Sequence, residues 1–536
     1  MAPPHPAVPP LDKRRLVTFI FMVFGMFMAI LDIQIVSASL SEIQAGLSAS
    51  ADEISWVQTS YLIAEVIMIP LSGMLSRVLS TRWMFTISAA GFTIMSALCA
   101  TATSIEQMIV YRALQGFIGG GMIPTVFASA YMIFRGRQAM ISPVIGLVAT
   151  LAPTIGPTVG GYLTDLFSWH WLFLVNVPPG IAVTAAAWLM IDFDEPDLAL
   201  FKHFDWAGLA FMAVMLGSLE YVLEEGPSDD WLQDDLILTL AILGVVAGTA
   251  FFWRVLRARE PIVDLGAFTD RNFAVGCAFS MVMGVGLYGL TYLYPIYLAR
   301  VRGYSPLMIG ETMFVTGLCM FFTAPLAGRL VRVLDPRVML GLGFVGFAVG
   351  TWIVTGITKD WDFNELLWPQ VLRGVSLMMC MVTINNLALG TLAPERLKNA
   401  SGLFNLTRNL GGAIGLALIN TVLNDRMDLH LVRLHEKVTS ASYAALERLD
   451  HLETSMAQLG TNASDAALKA LTGMVRTQAL VMSFADVFLI LTVLFLGMAS
   501  ACVRTMPVSA LSAASPALVP SWVMLVSRWS RRSSAA

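Results

Sequence analysis

The sequence predicts an all-α polytopic membrane protein with fourteen transmembrane helices. Three observations predict it. Hydrophobic residues make up 57% of the 536 residues and charged residues only 13%, against roughly 25% charged in soluble domains. Mean hydropathy is +0.71. Apolar windows of the length that crosses a bilayer, about 20 residues, recur along the chain, and Lys and Arg collect in alternate connections. A net charge of −4 is too small to point to a nucleic-acid partner.

The first window, 16–40, follows Lys13, Arg14 and Arg15 and lacks a small-residue cleavage site. It is read as an anchor that stays in place. The next five cover 53–75, 82–102, 105–133, 138–162 and 170–191. Then come 205–224 and 235–256, followed by 273–299, 307–331, 337–357, 364–392, 399–424 and 478–502. With the N-terminus inside, the interior connections hold 21 Lys and Arg, while the short exterior loops hold only Arg300, Arg302 and Lys359. That asymmetry sets the orientation, with both termini cytoplasmic, and requires an even number of spans. The exterior segment 425–477 carries six more basic residues. Long loops translocate largely regardless of charge.

An internal repeat organises the spans. Residues 69–85 align without gaps on 324–340, with nine of seventeen positions identical, including Gly73/Gly328, Arg77/Arg332 and Arg82/Arg337. Arg112 in span four likewise matches Arg373 in span twelve. Spans one to six therefore correspond to spans nine to fourteen, and spans seven and eight are an insert. The expected domains are 1–192, an N-terminal six-helix bundle; 193–265, the inserted pair; 266–505, a C-terminal bundle that includes 425–477; and 506–536, a cytoplasmic tail. Parallel repeats of this kind are a plan of rocking transporters.

Residues 149–161 break helical expectation. Pro153 and Pro157 remove backbone donors and kink the helix. Gly156, Gly160 and Gly161 let a neighbouring helix approach closely. The functional reading is a face that slides; the plainer one is small-residue packing. Span four opens Tyr111-Arg112-Ala113-Leu114-Gln115-Gly116, then Gly119, Gly120 and Gly121. Span six opens Trp169-His170-Trp171-Leu172-Phe173, then Asn176, Pro178 and Gly180. Span one holds Leu31-Asp32-Ile33-Gln34-Ile35-Val36. Over about residues 12–505 the chain resembles the major facilitator superfamily, in its fourteen-helix drug:proton antiporter branch of the EmrB/QacA type. The resemblance implies a major facilitator fold of six, two inserted and six helices. It makes Gly156, Pro157, Gly160 and Gly161 the antiporter motif, and Gly73, Arg77 and Arg82 the inner gate loop. Four departures stand out. Gln34 replaces a usual Thr, Ser37 a usual Asn, Arg77 takes the place of a usual Asp, and His170 stands where Arg is usual. The first two bear on substrate preference and the third on the acid–base latch at the inner gate.

Ionisable residues at bilayer depth are costly and default to functional. Asp32 lies about 16 residues into span one, roughly 24 Å from the inner surface. Glu65 is about 12 residues into span two, roughly 18 Å from the outer surface. Arg112, about 7 residues into span four, falls near the depth of Asp32. The functional reading makes Asp32 and Glu65 proton-coupling and substrate-binding carboxylates, since proton and cation compete for one such group. The alternative is a fixed Asp32–Arg112 ion pair joining spans one and four. Gln34 and Arg408 complete the candidate cavity set. Arg373, Asn385, Asn386, Asn405, Asn409 and Asp486 are read as interhelical glue. Glu220, on the inserted pair, is placed away from the central cavity.

In 425–477, Ala445, Leu449, Leu452, Met456 and Leu459 form a helical stripe. Gly460-Thr461-Asn462 breaks it, and a second helix follows. The segment is a hairpin folded on itself or, by the resemblance, a docking surface for a periplasmic adaptor linked to an outer-membrane channel. Residues 1–10 are Pro-rich, and 506–536 end in Arg528, Arg531 and Arg532. The five cysteines lack CxxC spacing and read as buried thiols. No nucleotide loop, HExxH or GxSxG occurs, which argues against an enzyme. The expectation is a proton-coupled exporter of lipophilic, often cationic compounds in a bacterial inner membrane. It would use the proton-motive force and neither cofactor nor metal. The competing expectation is an exporter of an anionic metabolite, such as an aromatic acid or siderophore, bound through Arg112, Arg373 and Arg408.

Overall fold

The computed structural model describes residues 13–134, 138–192, 194–229, 231–258, 261–439, 442–456 and 463–505. The Pro-rich start, the Ser/Ala/Pro-rich tail, Arg135, Arg137, Arg259, Leu459 and the Gly460–Asn462 break lie outside them. Among the described residues the chain is helical, with no strand.

The helices run α1 (Lys13–Ala38), a short α2 (Leu40–Leu47), α3 (Ala51–Cys99), α4 (Ile105–Gly119), α5 (Met122–Ile133), α6 (Gln138–Leu166), α7 (Trp171–Leu174) and α8 (Val177–Met190). The inserted pair is α9 (Trp206–Glu225) and α10 (Asp235–Val255). Then follow α11 (Arg271–Arg300), α12 (Pro306–Leu330), α13 (Pro336–Val354), α14 (Phe363–Leu389), α15 (Pro394–His435), α16 (Tyr443–Ser455) and α17 (Ala463–Thr505).

Among the described residues thirteen helices are long and apolar enough to cross a bilayer. One of these is α3, whose 49 residues hold a break. Unbroken, a helix of this length would run roughly 74 Å, more than twice the hydrocarbon core of about 30 Å. Ser80 sits at φ 76°, ψ 160°, outside any helix, and divides α3 into spans two and three. The repeat explains the position. The residue aligned with Ser80 is Asp335, which lies between α12 and α13 and caps α13 by accepting from the Arg337 N–H (2.8 Å). Counting both halves of α3 gives the fourteen expected crossings.

Span four keeps its expected bounds, 105–133, but is α4 plus α5, joined at Gly120 and Gly121. The marked departure in bounds is at spans thirteen and fourteen, which do not stop at 424 and 478. α15 runs on to His435, and α17 starts at Ala463. The expected second helix of 425–477 is thus the start of span fourteen. No Gly or Pro interrupts residues 425–435. The extension is held by Asp486 of α17, which pairs with His430 (2.9 Å) and Arg426 (3.6 Å) of α15. α16 packs back on α17.

Small residues set the packing, as expected where helices associate in lipid by close approach. α6 packs on α1 and α12, α11 on α15, and α13 on α14 and α17. α9 and α10 pair with each other, and α9 also touches α3 and α15. All five cysteines are free thiols. The two faces of the bundle are distinguished by charge. One, here the basic face, brings together Arg77, Arg82 and Lys398.

Candidate functional site

A cavity of about 720 Å³ enters the bundle from the face opposite the basic one. Its wall is built by the later part of α1 (Ile33, Gln34, Ser37), the first half of α3 (Gln58, Thr59, Glu65), the end of α9, and α11 and α15. Mixed chemistry lines it: Tyr288, Tyr292, Leu62 and Leu416 beside Glu65, Asn409 and Asn420. The tyrosines are fixed by the asparagines. Tyr292 Oη donates to Asn420 Oδ1 (2.5 Å) and Tyr288 Oη to Asn409 Oδ1 (3.3 Å).

Of the five expected cavity residues, Gln34 and Glu65 line it. Glu65 is 3% exposed, rests on Gly120 at the α4–α5 break, and has one carboxylate oxygen, Oε1, with no hydrogen-bond partner. Asp32 and Arg112 stand behind the wall, both fully buried, in a 2.6 Å ion pair. The pair sits in a buried network, in which Nη2 of Arg112 has no partner. Asn176 Nδ2 donates to Asp32 Oδ1 (2.7 Å), and Arg112 also donates to Gln115 Oε1 (2.7 Å) and to the Val57 carbonyl (3.2 Å). Gln115 Nε2 donates to Ser96 Oγ (2.7 Å). The guanidinium lies over the Tyr61 ring at 4.2 Å. Spans four and six therefore meet at the carboxylate of span one, and spans two and three hold the groups that bind it. Arg408 is buried over Phe127 (5.3 Å) and donates to Asn405 Oδ1 (2.6 Å). It does not line the cavity.

The glycine run does its packing beside this wall. A side chain at Gly156 would collide with Cβ of Gln34. One at Gly160 would meet the Ile35 carbonyl oxygen at 2.8 Å. Gly161 is buried on the same helix, and Pro157 lines the cavity. α6 thus grips α1 at the residues that shape the site.

At the basic face the bundle is closed. Gly73 of α3 lies against Asn399 and Lys398 of α15, where an added Cβ would meet the Asn399 Cα at 2.9 Å. Lys398 Nζ donates to the Ser76 carbonyl (2.8 Å) and pairs with Asp194. Asp194 also accepts from the Thr81 N–H (3.0 and 3.1 Å), just past the Ser80 break. Arg77 reaches Asn399 (3.2 Å), and Arg82 stacks on Trp188 (4.4 Å). Further in, Ser401 Oγ donates to the Pro124 carbonyl (2.9 Å) and Ser142 Oγ to Asn386 Oδ1 (2.9 Å).

The family model described as Major Facilitator Superfamily matches residues 22–416. The colistin resistance protein EmrB of Acinetobacter baumannii is 42% identical over 90% of this chain and 94% of its own. The chain belongs to the major facilitator superfamily, in its EmrB-type drug:proton antiporter branch. The fatty acid resistance protein FarB of Neisseria gonorrhoeae is 31% identical over 83% of this chain and 88% of its own. The multidrug export protein EmrB of Escherichia coli is 30% identical over 82% and 88%. Among solved structures, the human organic anion transporter TETRAN aligns with a TM-score of 0.54 at 15% identity, covering 91% of this chain and 100% of its own. At that identity it speaks for the fold alone.

For a member of this superfamily, several participants were missed or misplaced by sequence reasoning. Glu220 lines the cavity together with Glu224 and Glu225, so its expected distance from the cavity is corrected. Insertion between two repeats says nothing about which groove an inserted helix fills. Asn176 and Gln115 had a signal, since both fall within the motif runs of spans six and four. Asp194 had none: it lies in a connection, and only the fold brings it to Lys398. It supplies a carboxylate at the basic-face closure, beside the loop that carries Arg77.

Proposed function

We propose that this chain exports lipophilic, often cationic compounds across a bacterial inner membrane in exchange for protons, by alternating access. Both termini face the cytoplasm, so the basic face is the inner one and the cavity opens outward. The observation that carries this reading is the charge of the cavity wall: Glu65, Glu220, Glu224 and Glu225 against one cation, Arg300. The anionic-metabolite reading has less support, because Arg112 and Arg408 stand behind the wall. Among the relatives' names, colistin resistance agrees with a cationic substrate and fatty acid resistance with an anionic one.

In this reading Glu65 is the coupling group and Asp32 a structural one. Glu65 borders the open cavity, whereas Asp32 is enclosed by Arg112, Gln115 and Asn176. A proton arriving from outside neutralises Glu65 and removes its attraction for a cation, so substrate leaves. The halves then rock: the contacts of Gly73 and Asp194 with α15 open, and the outer mouth closes. The energy comes from the proton-motive force; neither cofactor nor metal takes part. The α16 region is the proposed contact for a periplasmic adaptor leading to an outer-membrane channel.

The test is uptake into inverted vesicles under an imposed pH gradient, over a panel of cationic, neutral and anionic compounds. Cations should accumulate only when the lumen is acidic, and Glu65→Gln should abolish that accumulation while the protein still inserts. Uptake indifferent to the gradient, or confined to acids, would overturn the proposal.

A further inference from the structure

The inserted pair has no counterpart in the two six-helix halves, and a spectator helix in lipid would have no reason to carry carboxylates. α9 instead presents Glu220 and Glu224 to the cavity; four residues apart, they share one helical face. Its end is tied to both flanking helices. Thr59 Oγ1 of α3 donates to Glu225 Oε1 (3.0 Å). Just beyond α9, Trp231 Nε1 donates to Thr421 Oγ1 of α15 (3.0 Å), and Asn424 Nδ2 of α15 to the Pro227 carbonyl (3.1 Å). α9 is therefore part of the cavity wall.

Register gives the depths. Glu225 is level with Thr59, and Gly217 faces Ile63 and Ile67, which brackets Glu65. Glu65 thus sits about 5 Å deeper than Glu220, and Glu220 about 6 Å deeper than Glu224. The three form a ladder from the mouth inward. Among the described residues none of them is in an ion pair with a protein cation. A separate observation points to a ligand: Glu65 is 3% exposed, lines the cavity, and leaves Oε1 without a partner. Tyr288 and Tyr292 line the same cavity and offer ring faces that attract cations.

We propose that Glu220 and Glu224 form a second cation subsite above Glu65, so that the inserted helix selects lipophilic compounds carrying two positive charges roughly 10 Å apart. This rests on the export reading above. One charge sits at Glu65; the other is held by the α9 pair near the mouth.

The test compares two probes on the full-length protein in nanodiscs at pH 8: benzyldimethylhexylammonium, and its dication with benzyldimethylammonium groups at both ends of the six-carbon chain. Wild type should bind the dication about tenfold more tightly, the scale of one additional partly desolvated charge pair. Glu220→Gln with Glu224→Gln should bring the ratio of affinities to about one, the dication losing about tenfold more affinity than the monocation. Glu224→Gln alone, at a half-buried position, should give an intermediate ratio and guards against a folding defect in the double variant. A wild-type ratio near one, or a ratio unchanged in the double variant, overturns the subsite. If folded wild type binds neither probe, the cation-export reading falls with it.

Discussion

At the scale of the residue, Asp32 and Glu65 are both buried acids in a membrane helix, yet they stand in opposite circumstances. Asp32 has three side-chain partners, one of them a guanidinium at 2.6 Å. Glu65 has an open cavity before it. Removing one member of a buried ion pair leaves an uncompensated charge and costs about 3–5 kcal/mol. Asp32→Asn should therefore lower the melting temperature of the purified protein and lose transport along with folded material. Adding Arg112→Gln should recover most of the lost stability, because no charge is then stranded. Equal melting of wild type and the single variant would show that the pair is not holding spans one and four. Counting residues from the window edges put Asp32 and Arg112 at one depth, and they meet. The same count left open which face of its helix Asp32 occupies. That is why the sequence did not separate a carboxylate facing the cavity from one facing a partner.

At the scale of the element, the glycine run and the basic-face closure make different demands. Gly156 and Gly160 hold α6 against α1 where Gln34 enters the cavity. Gly160→Leu should impair transport more than it impairs folded yield, as bulk there displaces Gln34's helix rather than unfolding the bundle. Yield measured by fluorescence-detected size exclusion, set against vesicle uptake, separates the two; a matched loss would support plain packing. Lys398 is different, because its bonds to Ser76 and Asp194 join α15 to α3 and to the connection after α8. Lys398→Gln should favour the state open at the basic face. A cysteine placed at Ser401, now buried and bonded to the Pro124 carbonyl, should then label faster from the cytoplasmic side. Labelling at the rate seen with Lys398 intact would remove Lys398 from the gate. Elements were legible where hydropathy and repeat agree: the kink at Ser80 lies where the aligned copy has its Asp335 cap. They were less so where hydropathy falls but helix continues, as in the extensions of α15 and α17, whose Asp486–His430 contact only the folded pair reveals.

At the scale of the whole molecule, the bundle carries an appendage outside its membrane windows. α15 and α17 extend past their membrane windows, and α16 folds back on α17 through contacts such as Ser464 Oγ donating to Glu453 Oε1 (2.8 Å). Among the described residues α16 buries none of its own, and Tyr443 and Leu446 are exposed. Removing such an element should cost the core little, since surface changes away from buried features are usually within about 0.5 kcal/mol. Replacing residues 440–462 with a Gly/Ser linker should therefore leave insertion, melting temperature and vesicle uptake near wild type. Intact double-membraned cells pose a further demand, because substrate released between the membranes diffuses back. If α16 docks an adaptor, the linker variant should lose resistance in such cells while its isolated vesicles still transport. Vesicles and cells thus read different parts of the molecule, the cavity in one case and the appendage in the other. Full resistance in cells carrying the linker variant would remove α16 from any envelope-spanning assembly and leave it a cap on α17.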